Sequence, residues 1–483
     1  MSSVFLFHRD LRLVDNSALN LAIRSGRKIL PVFIFNPEQI DPIKNSFFSH
    51  PSVQFMCESL RDLVEEIQKK GSRLHMFYGE YVEVLSNLHK STPFDSIYSN
   101  RDITKFARQR DSVIKTWCEE NSIRFVDCED YDFVSQSKIL RKDKNQFAVL
   151  SAYYAELCLE FKRDNNIVPR PISEPFTPGQ FITTNHQDLL RNTNQFYDFK
   201  STLIQKGGRC NALTSLSRIN SDWQQAYGTN RNIPSLEDGT TRLSAHLKFG
   251  TISIRELFYK ILEVSGGVIE NNALMREIVF RSLFYRLWGS QSRLQWEESF
   301  RQEIDAKIPW KYPNDEPKLW EAWKTGKTGF PLADAGMRQL EHEGFVHNRP
   351  RMVLATVATK YFLFDWRECA RYFATKLTDY DPILNASGWN YAAGLGENDQ
   401  NCWRSPMNPF SQCKNYDPDC VYVKRWIPEL RDVPNRDILE WSANIRKRYS
   451  RIDYPAPLVE HAEVSNRVTK MWRDAIKENQ RLS

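Results

Sequence analysis

The spacing of apolar and polar residues changes character partway along the chain. Over residues 1–130, short apolar runs rich in β-formers, Val4–Phe7 and Ile29–Phe35, alternate with segments of helical spacing. Asn36-Pro37 closes the second run, and Arg73–Tyr78, Ser96–Ser99 and Ile123–Val126 are further strand candidates. Between them, Val53–Lys69 repeats its apolar residues at i, i+3 and i+4, and Ile103–Glu120 forms a second helical pattern. Apolar strands alternating with amphipathic helices predict a parallel sheet covered on both faces, a Rossmann-like α/β layer. Ligands of such sheets sit at the carboxyl ends of strands. The segment His8-Arg9-Asp10-Leu11-Arg12, directly after the first run, is therefore either a site edge or a solvated turn pairing its own charges.

Residues 131–205 are mixed and polar, with Pro169, Pro171, Pro175 and Pro178 clustered, and predict a connector draped over the surface. From 206 to 483 strand signals nearly vanish. Helical candidates are Ser253–Val264, Ala273–Trp288, Pro317–Trp323, Ala333–Glu343, Arg351–Phe364 and Arg367–Lys376. Short helices joined by compact turns predict one all-helical domain. The expected plan is thus an α/β domain (1–130), a connector (131–205) and a helical domain (206–483).

A length of 483 residues suits two or three domains. With 41% hydrophobic and 26% charged residues, the composition is that of a globular chain and excludes a disordered one. No run approaches the ~18 apolar residues of a membrane span, and the N-terminus turns charged too early for a secretory signal. A soluble, intracellular protein is expected. The nine cysteines show no CxxC pair, which points to free thiols in a reducing compartment; Cys402, Cys413 and Cys420 lie close together without a metal-site spacing. A net charge of +6 permits nucleic-acid binding without establishing it. The 13 tryptophans exceed what a core alone needs: they can stack on bases or relay electrons, although packing is the default.

Four segments of the helical half carry candidate chemistry. In Asp238-Gly239-Thr240-Thr241-Arg242-Leu243-Ser244, small hydroxyl residues entering a helix offer N–H and O–H groups to a phosphate, or form a simple N-cap, which the local pattern favours. Lys327 to Pro331, Asp334 and the run His347-Asn348-Arg349-Pro350-Arg351-Met352 suit phosphate or carboxylate partners, or an exposed helix start with ordinary salt bridges. Asp379-Tyr380-Asp381-Pro382 places two acids two residues apart, with Asn385 and Gly388-Trp389-Asn390-Tyr391 following; no His or further acid adjoins them, so metal is disfavoured. Finally, Arg404 to Lys414 and Val423 to Leu430 mix basic and aromatic residues as DNA-facing surfaces do, though a packed helix start explains much of this.

Taken in order, HRDLR (8–12), GTTRLS (239–244), KTGFP (327–331), HNRPRM (347–352), FDWRE (364–368), DYDPILN (379–385) with Gly388-Trp389, and RWIPELR (425–431) resemble the photolyase/cryptochrome flavoproteins. The resemblance covers nearly the whole chain and is densest over 239–430. It implies a helical FAD-binding domain behind an α/β domain that holds an antenna chromophore, which could be folate, deazaflavin or flavin. Asp102 lies in a region similar to the folate site. Tyr227, Thr240, Thr241, Arg242, Leu243 and Ser244 match the segment holding the FAD phosphates. Asn348, Arg351, Asp379 and Asp381 match residues lining flavin and adenine, with Arg351 and Asp379 forming an ion pair. Asn385 matches the residue facing flavin N5, where a neutral amide adds no charge beside a reduced flavin.

Trp389 and Trp366 match the first two members of the family's electron relay, and Trp310 is the choice for the third. Glu277 matches an acid that hydrogen-bonds the lesion, and Met352 a residue touching it, in a pocket that takes an extruded dinucleotide. Phe280 and Tyr391 stand where stacking tryptophans are usual, and Tyr391 resembles DASH members, which favour single-stranded DNA. Arg349, Arg404 and Lys414 match phosphate contacts. The activity implied is light-driven repair of cyclobutane pyrimidine dimers by electron transfer from reduced FAD, by a monomer acting on damaged DNA. The alternatives are a DASH-type protein and a blue-light receptor; the chain's end soon after RWIPELR, without a long tail, is an expectation against the receptor.

Overall fold

The computed structural model describes residues 2–184, 190, 192–290, 297–397 and 406–482. Five apolar runs form strands: β1 (Ser2–Phe7), β2 (Lys28–Phe35), β3 (His75–Tyr78), β4 (Ser96–Arg101) and β5 (Arg124–Glu129). All pair in parallel, in the order β3-β2-β1-β4-β5. Alternation along β1 explains why the strands read as unbroken apolar runs. Phe5 and Phe7 pack with Leu19, Leu60 and Leu63 on one face. Val4 and Leu6 pack with Leu85, Leu88 and Ile114 on the other. Both faces are covered by helices, so neither can be polar. The strand order reverses between β1 and β4, which opens a crevice at their carboxyl ends.

The connector differs from expectation. It contains a helix, Leu150–Arg163, whose Tyr153 and Leu157 are buried against the helical half. The Tyr153 hydroxyl shares a 2.9 Å hydrogen bond with Ser282. Its buried stripe is only a few residues wide, so the polar average of the segment concealed it. Phe181 further on bridges Ile29 at the start of β2.

In the helical half, the helix expected over 351–364 is Asn348–Thr356 followed by a wider π turn at Val357–Tyr361, and Leu363 is left-handed at φ +60°. Thr359 donates back to the Ala355 carbonyl at 2.8 Å, the bond by which a hydroxyl residue distorts a helix locally. The KTGFP segment is structural. Asp334 accepts from the Thr328 and Gly329 N–H groups, the Thr328 hydroxyl and the Tyr454 hydroxyl, closing the start of helix Pro331–Glu343.

The HRDLR segment is no solvated turn. Asp10, Leu11 and Arg12 are 2% exposed and lie between the two halves of the fold. Arg12 meets Asp130 at 2.5 Å, while Arg255 from the helical half reaches Asp130 at 2.7 Å and Asp15 at 2.9 Å. Burial would raise the Asp130 pKa, but the two arginines override it and hold it down at about 2. Charges this deep persist only because each is paired. Gly250 is one place where the halves approach closely: its φ is +65°, and a Cβ there would stand 2.2 Å from the Arg9 carbonyl oxygen.

Gly250→Ala should therefore cost about 1–2 kcal/mol for the left-handed backbone and a further 1–3 kcal/mol, roughly, for overpacking. Denaturant unfolding measures the loss; an unchanged midpoint would show that the junction yields.

Candidate functional site

One helix, Pro382–Ala392, organises the candidate residues. Asp381 caps it, accepting from the Ile383 and Leu384 N–H groups at 3.0 and 3.1 Å, with Pro382 in the first turn. The helix packs against Ala273–Ser290, Asn348–Thr356 and Trp366–Lys376. The helix carrying Asn385, Trp389 and Tyr391 thus packs on the helix carrying Glu277 and Phe280 and on the one carrying Asn348, Arg351 and Met352. Asn385 is half-buried, and its Nδ2 donates to the Ala370 carbonyl at 3.1 Å, an assignment that turns its acceptor oxygen away from that contact.

The expected ion pair is present, with Arg351 Nη2 3.6 Å from Asp379 Oδ1 and the Arg351 guanidinium 5.7 Å from the Phe373 ring centroid. Arg351 Nε, Asp379 Oδ1 and Arg242 Nε are buried without a hydrogen-bond partner in the protein. Each such group costs about 1–3 kcal/mol when left unsatisfied; the two guanidinium N–H groups fit acceptor or anionic groups of a ligand, and the Asp379 oxygen fits a ligand N–H or O–H donor.

The 240–244 segment departs from the N-cap reading. Helix Ser244–Phe249 begins after Leu243, which occupies the cap position without a side-chain bond. Thr240, Thr241 and Arg242 form a half-buried bend, with Arg242 at φ +51°. Gln205 holds it, donating to the Arg242 carbonyl at 2.9 Å and to Ser244 Oγ at 3.0 Å. Tyr227 is buried and stacked on Trp223 at 5.0 Å.

Glu277 is bound to Arg231 at 2.5 Å, and Arg231 lies 5.7 Å from the Tyr227 ring centroid. Phe280 meets Tyr391 edge to face at 6.2 Å, and Phe284 contacts both. Arg349 donates twice to Asn232 Oδ1, at 3.0 and 2.6 Å, and lies 4.3 Å over Tyr416. Met352 is 37% exposed, and the exposed Asn348 has its amide 3.8 Å from the Met352 sulfur. Lys414 pairs with Glu440 at 3.3 Å, on the helix Pro409–Tyr416 that also carries Tyr416. Arg404 lies outside the described residues.

Trp389 is buried against Phe373 and Trp323, at 5.4 and 6.2 Å. Trp366 is fully buried with no partner for its indole nitrogen, and Trp310 is half-buried. Arg231, Asn232 and Gln205 escaped sequence reasoning, whereas His347 belonged to a run singled out for phosphate or carboxylate partners. Burial, then the nearby Arg349 charge, pulls the His347 pKa to about 4, so it is neutral, and its Nε2 has no partner. Only Arg231, one helical turn beyond Tyr227, carried a signal in the sequence.

Asp381 differs from Asp379. Its carboxylate turns toward the α/β half, where Arg9 pairs with it and the Tyr285 hydroxyl donates to it at 2.5 Å. Arg9 also reaches Asp102 at 3.2 Å and the Lys248 carbonyl at 3.0 Å. Both Arg9 and Asp102 line a cavity of about 540 Å³ at the sheet's crevice, together with His8, Arg110, Lys248 and Tyr380. His8 Nε2 and Arg110 Nη2 are buried there without partners. Burial, then the charge of Arg9, brings the Lys248 pKa down to about 7. Among the described residues no cluster of His, Cys, Asp or Glu could hold a metal ion, and no helix is long and apolar enough to cross a membrane.

Burial would raise the Asp381 pKa, but Arg9 and Tyr285 overcome it and hold it near 2. A depressed carboxylate stabilises the fold above its unfolded pKa, and that contribution disappears as pH falls through the folded value. Asp381→Asn should cost about 2 kcal/mol at neutral pH, and the gap from wild type should close as the medium approaches pH 2. Denaturant unfolding across that range is the check; a gap independent of pH would mean the ionised carboxylate is not its source.

Two family models cover most of the chain. Residues 3–175 match DNA photolyase, and residues 274–474 match the FAD binding domain of DNA photolyase. The chain is 30% identical to a deoxyribodipyrimidine photo-lyase of Alkalihalophilus pseudofirmus, with 97% of each chain covered. Among solved structures, an archaeal photolyase from Sulfolobus tokodaii, described with two FAD molecules, superposes at a TM-score of 0.83 with 33% identity, covering 98% of this chain and 100% of that one. A class III photolyase from Agrobacterium tumefaciens superposes at 0.84 with 26% identity, covering 99% and 98%.

Proposed function

The chain belongs to the DNA photolyase family, and from that premise we propose that it repairs cyclobutane pyrimidine dimers in DNA, using light. One observation supports the reading above the others: the Arg351–Asp379 pair, on and next to helices that pack together, keeps buried polar atoms without a partner in the protein. Arg242, Arg351, Asp379 and Asn385 hold FAD, with Tyr227, Thr240, Thr241, Leu243, Ser244 and Asn348 around it. Bound in its reduced form, FAD supplies the electron donor on illumination.

The protein's part is binding, orientation and electrostatics. Asn385 presents an uncharged acceptor to the ring. Glu277 hydrogen-bonds the lesion; its 2.5 Å contact with Arg231 supports this by keeping the acid oriented. Phe280, Tyr391 and Met352 form the apolar wall against an extruded dinucleotide, and Arg349 and Arg404 engage backbone phosphates. Trp389, Trp366 and Trp310 return electrons to an oxidised cofactor. Asp381 serves the domain junction and the helix start.

The cavity at the sheet crevice suits the antenna. Aromatic and cationic walls with unpartnered nitrogens on His8 and Arg110 fit a planar chromophore bearing anionic groups, and a flavin nucleotide meets that description. A second reading, a preference for single-stranded DNA, is favoured by Phe280 and Tyr391, whose rings offer less stacking surface than paired indoles. We also read the protein as intracellular, where its substrate lies, and as acting alone.

An absorption spectrum of the purified protein, followed by illuminated repair of dimers in single- and double-stranded oligonucleotides, tests these readings together; a colourless protein that refuses FAD defeats them. Glu277→Ala should lower repair about ten-fold or more, the worth of a hydrogen bond to a charged group, with flavin content unchanged. Loss of bound flavin in that variant would show the pocket to be wrongly assigned.

A further inference from the structure

The segment carrying Trp310 is fastened beside Trp366 by backbone bonds. Lys311 pairs with Phe364 in an isolated parallel bridge: its N–H donates to the Leu363 carbonyl at 2.8 Å, and its own carbonyl accepts from Asp365 at 2.9 Å. Between the two tryptophans stand two charges of opposite sign. The Arg367 guanidinium lies 4.6 Å from the Trp366 ring centroid, and Arg367 also pairs with Asp305, which is 5% exposed. The Trp310 indole N–H donates to Asp305 Oδ1 at 2.8 Å and to the Asp305 carbonyl at 3.2 Å. The Trp366 indole nitrogen has no such acceptor.

The two tryptophans therefore differ in how well they bear a positive charge. A cation above Trp366 disfavours an oxidised indole there, through the same attraction that makes it favour the neutral ring. A carboxylate bonded to the Trp310 N–H favours oxidation there and offers a place for the proton. Asp365, which also pairs with Arg367 at 3.2 Å, offsets part of the cation's effect but accepts no bond from the Trp366 indole nitrogen. Lys360 lies 3.4 Å over Trp472, which meets Trp310 edge to face at 5.9 Å. That cation opposes charge on Trp310 and increases the need for a nearby base.

We propose that Asp305 is the proton acceptor of the tryptophan relay, and that the Arg367–Asp305 pair drives the electron hole from Trp366 outward to Trp310. This deepens the relay reading above and depends on it. In the step, Trp310 gives one electron to the oxidised Trp366, which returns to its neutral closed-shell form. The Trp310 N–H bond breaks, its proton passes to Asp305 Oδ1, and a neutral Trp310 radical remains beside a carboxylic acid. The electron deficit originates in the oxidised flavin that draws on the relay, and the proton returns when the radical is re-reduced. Holding the proton within hydrogen-bond reach makes the reverse electron transfer wait on proton return.

The test is time-resolved absorption after a light flash on the holoprotein with oxidised FAD, because protonated and neutral tryptophan radicals have different visible spectra. In wild type the neutral radical should form at a rate independent of buffer concentration. In Asp305→Asn the protonated radical should persist, its decay should become proportional to buffer concentration, and the yield of long-lived radical should fall about ten-fold, the worth of one charge-assisted hydrogen bond. Asp305→Glu, which keeps the carboxylate, should restore the buffer-independent phase; if Asp305→Asn does not fold, Asp305→Glu and Arg367→Met carry the test. Arg367→Met should leave more of the oxidised indole on Trp366. In unilluminated protein, the Trp310 indole proton should resonate well downfield in wild type and shift upfield in Asp305→Asn, a readout free of photochemistry. Wild-type spectra and yields in Asp305→Asn overturn the proposal. Full photoreduction in Trp310→Phe would instead remove Trp310 from the relay, a separate failure of the reading beneath it.

Discussion

A single guanidinium joins the two halves of this fold at the point where both carry candidate chemistry. Arg9 follows β1 directly, and its partners are Asp102 after β4, Tyr285 on the 273–290 helix and Asp381 at the start of the 382–392 helix. Moving any of these elements would strand a buried charge, a penalty of several kcal/mol. The crevice of the sheet and the helix bearing Asn385 and Trp389 are therefore held in one geometry. Gly250, Arg12, Asp130 and Arg255 reinforce the same junction from the side. Buried ion pairs hold the two halves in that relation because separating the partners leaves charges unpaired away from water.

The two acids of the Asp-Tyr-Asp run show how one motif divides its labour. Asp379 precedes the helix, and its Oδ1 lies 3.6 Å from Arg351 without a hydrogen-bond partner in the protein. Asp381 is the helix cap, and capping turns its carboxylate toward the first-turn N–H groups, where Arg9 and Tyr285 converge. Two residues along a chain entering a helix point to different sides. Each acid thus faces an arginine of its own, Arg351 for Asp379 and Arg9 for Asp381.

The α/β half was largely legible in the sequence. Its strands are continuous apolar runs because each has two covered faces, and their positions follow from the residues to within a few places. The helical half was legible in kind, and its ordered motifs pointed to the family that the comparisons show. The bend at 240–244 was not, because local propensity favours a hydroxyl cap there, whereas Gln205, distant in sequence, holds it open. The Leu150–Arg163 helix was hidden for a similar reason: only its narrow buried stripe, matched by Ser282 far along the chain, gives it a purpose.

What the amino-acid sequence determined by itself was the alternation of strand and helix, the parallel sheet and the inventory of chemical groups, since these follow from side-chain periodicity and identity. What only the tertiary structure decided was which charge meets which: Arg9 with Asp381, Arg231 with Glu277, Asp305 with Trp310. The partners in the first two pairs lie far apart along the chain, and the third is set by how its loop is bridged to Phe364. Such pairings are fixed by packing and by the cost of leaving a buried charge or N–H unmatched, which no local pattern encodes.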